Sequence, residues 1–124
     1  MVEVPIQLAA MWVALMLTYL LGDVLRIFAG DFTAGEIDGT KATPAWWMVA
    51  ALIMLVPIAM VIVSVTIIGD VVPWIHIGAA AGLLMFNLVG IRGYPGLYDR
   101  FLIGVGLLIN VLIIWTAYGW ATAR

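Results

Sequence analysis

Four of the five prolines, Pro5, Pro44, Pro73 and Pro95, each stand just before or at the start of a long apolar run. Proline fits the first turn of a helix, where its missing N–H would have no intrahelical partner. The punctuation predicts helices over about 5–29, 44–68, 73–91 and 96–121. A helix needs about 20 apolar residues to cross a bilayer, and each run reaches roughly that length. Composition agrees: of 124 residues, 66% are hydrophobic and 10% charged, against about a quarter charged in ordinary soluble domains. A chain this short has too much surface for its volume to hide so many apolar side chains from water. These observations exclude a water-soluble enzyme, a disordered tail and a secreted disulfide scaffold. The expected fold is all-α, a polytopic membrane protein whose 1–124 form a single transmembrane domain, an antiparallel four-helix bundle.

The connections are unequal. The first holds Gly30, Asp31, Gly35, Glu36, Asp38, Gly39 and Lys41; the second is little more than Gly69-Asp70-Val71-Val72; the third is Arg92-Gly93-Tyr94-Pro95-Gly96. Short connections force neighbouring helices to run antiparallel. Arg26, Lys41, Arg92 and Arg100 gather at the first and third connections, with Arg124 alone on the other side. The positive-inside rule then puts both termini outside a plasma or inner membrane. The first apolar stretch carries Glu3 where a signal peptide would carry Lys or Arg, so it reads as a retained span. Absence of cysteine excludes disulfides and thiolate sites. A net charge of −2 with no basic run gives no footing to a nucleic-acid partner.

Ionisable groups near hydrocarbon are costly, so they face protein or water and find partners. Asp23 follows an apolar run, with Tyr19 one turn before it and Arg26 three residues after. It reads either as a proton or cation site or as half of an i,i+3 pair at the membrane surface. The orientation above brings Asp23, Arg26, Arg92, Asp99 and Arg100 to one membrane face, as a charge cluster or the mouth of a polar path that continues to Asn110. At 100° per residue, Asp99, Gly106, Asn110, Ala117 and Ala121 fall within one narrow stripe of the fourth helix. Ala14, Thr18 and Gly22 form a small-residue row on the first. The third carries Gly78 and Gly82 in GxxxG spacing, with Asn87 almost opposite. Small residues let backbones approach and amides bond across interfaces, so two such faces imply protein contact on both sides. Pro57 lies inside the second helix and removes the bond to the Ile53 carbonyl, predicting a kink.

His76 stands alone beside Trp74 and reads as an interfacial, hydrogen-bonded side chain. Trp12, Trp46, Trp47, Trp74, Trp115 and Trp120 mostly fall near helix ends, as in aromatic belts. Asp31, Glu36 and Asp38 lack the spacing of a calcium loop, and no GxSxG, Walker or HExxH motif occurs. The residues therefore indicate no metal, no cofactor and no enzyme.

Met11-Trp12 with Tyr19 through Asp23-Val24-Leu25, Val56-Pro57-Ile58-Ala59-Met60 with Ser64, and Asn110 through Trp115 with Ala117 and Trp120 span nearly the whole chain. Together they resemble an uncharacterised family of small four-helix integral membrane proteins, a domain of unknown function. The size and layout are more loosely similar to DoxX-like four-helix membrane proteins. The uncharacterised family often has basic residues in the second connection, where this chain has Asp70. The resemblance implies four spans and no known activity.

The leading functional expectation is a non-enzymatic membrane protein acting through helix contacts, as a homo-oligomer or as an accessory subunit of an unidentified membrane partner. Two others stand beside it. One is a small channel or transporter with a polar path near Asp23, Asp99 and Asn110. The other is a lipid or quinone binder between helices shaped by Pro57.

Overall fold

A computed structural model describes residues 2–37, 39–91 and 96–123. Four helices dominate it: α1 (Val4–Phe28), α2 (Pro44–Thr66), α3 (Val72–Gly90) and α4 (Leu97–Thr122). All four are long and apolar enough to cross a membrane. The first three begin with proline in the first turn. Thr43 caps α2, its hydroxyl accepting from the Trp46 amide at 3.2 Å. α2 ends at Thr66, two residues before the sequence expectation, because Ile67 turns to extended backbone (φ −102°, ψ 130°). The run Thr66-Ile67-Ile68 is β-branched throughout, which lowers helix propensity at a frayed end.

An all-helical expectation also misses a small hairpin in the first connection. β1 (Glu36–Ile37) pairs antiparallel with β2 (Thr40–Lys41), Glu36 opposite Lys41. Gly39, in the reversal, takes φ of 77°, and Gly35, in the turn that leads into β1, takes 81°, both left-handed conformations that favour glycine. Asp38 and the residues 92–95, including Arg92 and Pro95, lie outside the described residues, as does Arg124.

Each helix buries a seam in which steps of three and four alternate, the 3.5-residue repeat of supercoiled bundles. On α1 the seam runs Leu8, Trp12, Leu15, Tyr19, Gly22, Arg26; on α2 its buried members are Pro57, Met60 and Ser64. On α4 it includes Gly106, Asn110, Ile113 and Ala117. Leu8, Trp12, Leu15, Met60, Ala80, Leu83, Ile113 and Ala117 form the core. Outside this seam the helices are apolar and exposed, as at Leu17, Leu52, Ile62, Met85, Leu108 and Trp115. So large an apolar exterior is far beyond what a soluble monomer shows.

α1 packs on α2 and α4, and α4 on α3, whereas α2 and α3 make little contact with each other. Contacts between α1 and α4 pair rising with falling residue numbers: Met11 with Thr116, Tyr19 with Asn110, Arg26 with Asp99. Glycine makes the closest approach possible. A Cβ on Gly106 would sit 3.4 Å from the Tyr19 ring and 3.7 Å from Leu15.

Candidate functional site: a polar-floored cavity between the helices

Three polar layers lie on the buried seam of α1, seven residues apart, at Trp12, Tyr19 and Arg26. Two turns of helix separate consecutive layers by about 10.5 Å.

At the Arg26 layer the guanidinium Nε lies 3.3 Å from both carboxylate oxygens of Asp99, and Nη1 lies 3.3 Å from Asp23 Oδ1. Asp99 is 3% exposed, so its charge depends on that guanidinium, whereas the Asp23 side chain is 54% exposed. Asp23, Arg26 and Asp99 are therefore one ion triad. Arg100 follows Asp99 on the exposed side of α4. The Tyr98 hydroxyl donates to the Asp31 carboxylate, tying the loop after α1 to the first turn of α4.

The Tyr19 layer is an amide–phenol network. Asn87 donates one Nδ2–H to the Leu83 carbonyl (2.9 Å) and another to the Tyr19 oxygen (2.6 Å). Asn110 repeats the pattern, with the Gly106 carbonyl at 3.1 Å and the Tyr19 oxygen at 3.5 Å. Each amide is thus oriented by a carbonyl one turn back on its own helix. Asn110 is wholly buried, and its Oδ1 has no partner among the described residues. At the third layer the Trp12 indole donates to His76 Nδ1 at 2.9 Å, and Trp120 packs 6.3 Å from the imidazole, centre to centre. His76 is fully buried, and its Nε2 has no partner among the described residues. Trp12 is likewise fully buried, so it belongs to the core and not to a surface belt.

No family model, curated protein or solved structure matches the chain. The site is read from its own geometry.

Between the first two layers lies a cavity of about 110 Å³, with walls from all four helices. Thr18, Tyr19, Asp23, Arg26, Asn87 and Asp99 supply its polar lining, the Thr18 hydroxyl donating back to the Ala14 carbonyl, and Ile53, Met54, Leu83, Phe86, Leu102 and Ile103 its apolar lining. Ile53, Leu83 and Phe86 are shared with an apolar groove of about 320 Å³ between α2 and α3, completed by Val56, Gly78, Ala79 and Gly82. The two spaces thus have a common wall where α2 and α3 stand apart. Among the described residues, no atom beyond the helix's own adjoining backbone lies within 4 Å of where a Cβ on Gly78 or Gly82 would be, so these glycines widen the groove and hold no neighbouring helix.

The structure therefore joins Asp23, Arg26 and Asp99 in one cluster and Asn87 with Asn110 in another. Gly106 packs against the Tyr19 ring, Ala117 lies in the core, and Gly78 with Gly82 opens the groove. Pro57 is buried on the α2 seam, outside the residues that line either space. Sequence reasoning missed the Trp12–His76 pair and the central place of Tyr19. The signal available was the seven-residue spacing of Trp12, Tyr19 and Arg26.

Proposed function

We propose that the chain spans a cell membrane as an antiparallel four-helix bundle with both termini outside. Its role is non-catalytic: it holds an amphipathic, lipid-like molecule with its head in the cavity and its tail in the groove between α2 and α3. The observation that carries this reading is a polar-floored cavity that shares the wall of Ile53, Leu83 and Phe86 with an apolar groove the helices themselves leave unfilled. Ligand sites in bundles take this form, mostly apolar with a few convergent polar groups. Intramembrane polar side chains that face the bundle interior are functional candidates by default. α2 supports the reading further, since among the described residues no side-chain hydrogen bond or ion pair ties it to another helix.

Native mass spectrometry of protein extracted in mild detergent should show one bound lipid per chain. Gly82→Trp, which fills the groove, should remove it while the helical circular dichroism stays unchanged. A lipid-free parent that also fails to take up lipid in nanodiscs overturns the reading. Reporters fused to both termini test the orientation, and a cytoplasmic signal from either end refutes it.

A second reading has a specific observation behind it. The open Gly78–Gly82 face would accept a close-packed helix of a second copy, giving a homo-oligomer. Under that reading, replacing both glycines by leucine dissociates an oligomer seen in nanodiscs and leaves lipid occupancy unaltered.

A further inference from the structure

We infer that the cavity selects a neutral lipid whose head offers an oxygen acceptor, with the Tyr19 hydroxyl as the donor that recognises it. The inference rests on the ligand-binding reading above and adds the chemistry of the head group.

Tyr19 lines the cavity, and its oxygen receives N–H groups from Asn87 and Asn110. Neither amide can be turned round without losing its bond to the carbonyl one turn back, Leu83 for Asn87 and Gly106 for Asn110. Both amides therefore present nitrogen to the phenol, and the Tyr19 oxygen is an acceptor towards each. A phenol has one proton to give. Among the described residues no acceptor receives it. A half-buried donor without a partner is costly, so a ligand oxygen at this point gains a hydrogen bond that the protein alone does not make.

Charge decides between neutral and anionic heads. The cation in the cavity wall, Arg26, already lies 3.3 Å from Asp23 and 3.3 Å from Asp99. A phosphate would have to displace a carboxylate from the guanidinium, or approach two carboxylates that line the same space. A further anion beside two carboxylates, one of them, Asp99, only 3% exposed, is strongly unfavourable. A carbonyl head meets no such opposition. A cavity of about 150 Å³ accommodates a benzene-sized group, and this one, at about 110 Å³, shares Ile53, Leu83 and Phe86 with the groove that would take the tail. An ester carbonyl of a diacylglycerol and a ring carbonyl of a quinone share the required chemistry.

The test uses the full chain in nanodiscs of phosphatidylcholine, titrated separately with dioleoylglycerol, decyl-ubiquinone, phosphatidylglycerol and, as an acceptor-free control, squalane. Binding is read by native mass spectrometry and by the rise in melting temperature. At least one carbonyl lipid should bind ten-fold or more tightly than phosphatidylglycerol, and the better of the two names the source of the carbonyl. Tyr19→Phe should weaken that carbonyl lipid about ten-fold and leave squalane uptake unchanged. Should Tyr19→Phe fail to fold, Asn87→Asp offers the phenol an internal acceptor and should weaken the same lipid selectively. Phosphatidylglycerol binding as tightly as the carbonyl lipids, or carbonyl binding indifferent to both variants, overturns this inference while leaving the cleft reading standing. No uptake of any of the four probes overturns the cleft reading itself.

Discussion

Replacing Arg26 by methionine is the sharpest perturbation of the ion triad. The guanidinium lies 3.3 Å from the Asp99 carboxylate, a gross attraction of about 5 kcal/mol at an effective dielectric of about 20. Removing one member of a buried pair typically costs about 3–5 kcal/mol, because the other is left charged in low dielectric. The Arg26 side chain keeps 24% of its exposure, which places the loss near the lower end, about 3 kcal/mol. At roughly 4 °C per kcal/mol for a chain of this size, the melting temperature in detergent should fall by about 12 °C. Asp23→Asn should cost less than about 1 kcal/mol, since that carboxylate is mostly solvated. The decisive variant is Arg26→Met combined with Asp99→Leu, which removes the buried carboxylate with its partner and fills both volumes with apolar atoms. It should melt within about 1 kcal/mol of the parent. Thermal melts followed by circular dichroism, with size exclusion before and after heating, are taken for the parent, Asp23→Asn, Arg26→Met, Asp99→Leu and the double variant. If the two single losses simply add in the double variant, the pair is not coupled and the triad is not the unit described.

Packing against Gly106 should be equally discriminating. Gly106→Leu drives side-chain atoms into the Tyr19 ring and should cost about 1–3 kcal/mol, whereas Gly82→Ala, with open space around it, should be neutral or stabilise by up to about 1 kcal/mol; equal melting temperatures for the two would refute the assignment of faces. Trp12→Phe removes the donor to His76 and leaves both ring nitrogens buried without partners, at about 1–3 kcal/mol. Adding His76→Leu should recover most of that loss in the same melts, and a further fall on adding it would refute the pairing.

How much of this was legible depended on whether the relevant signal was local. The four helices were, because proline at the start of an apolar run marks a boundary without any tertiary information. The opposition of Gly82 and Asn87 on α3 follows from 100° per residue alone, as does the proximity of Asp23 and Arg26. The second carboxylate on Arg26 was not legible as a partner, because it lies 73 residues away and helix periodicity says nothing about which helix a face meets. Trp12 was misread for a different reason. Tryptophan near a helix end is common at interfaces, and only the packing of α3 beside α1 reveals that its N–H is needed at His76. α2 was the least legible element. It is apolar on every side, so no face stands out, and its separation from α3 has no counterpart in the residue pattern.

That blankness of α2 has a physical consequence for the proposed site. Each polar layer of α1 reaches across to another helix: Trp12 to α3, Tyr19 to α3 and α4, Arg26 to α4. These directed bonds fix the relative height and rotation of three helices. α2 is held beside α1 by apolar contact, and its hydroxyls bond back to its own carbonyls, Ser64 to Met60 and Thr66 to Ile62. In a bilayer such contact is only weakly favoured over contact with acyl chains, which are as apolar as leucine. The helix that bounds the cleft on one side is thus the one whose displacement breaks no side-chain hydrogen bond to another helix among the described residues. A lipid tail entering beside Gly78 and Gly82 would exchange one apolar neighbour for another along α2. The three polar layers on the remaining helices would keep their geometry, and the head-group donors would stay where they are.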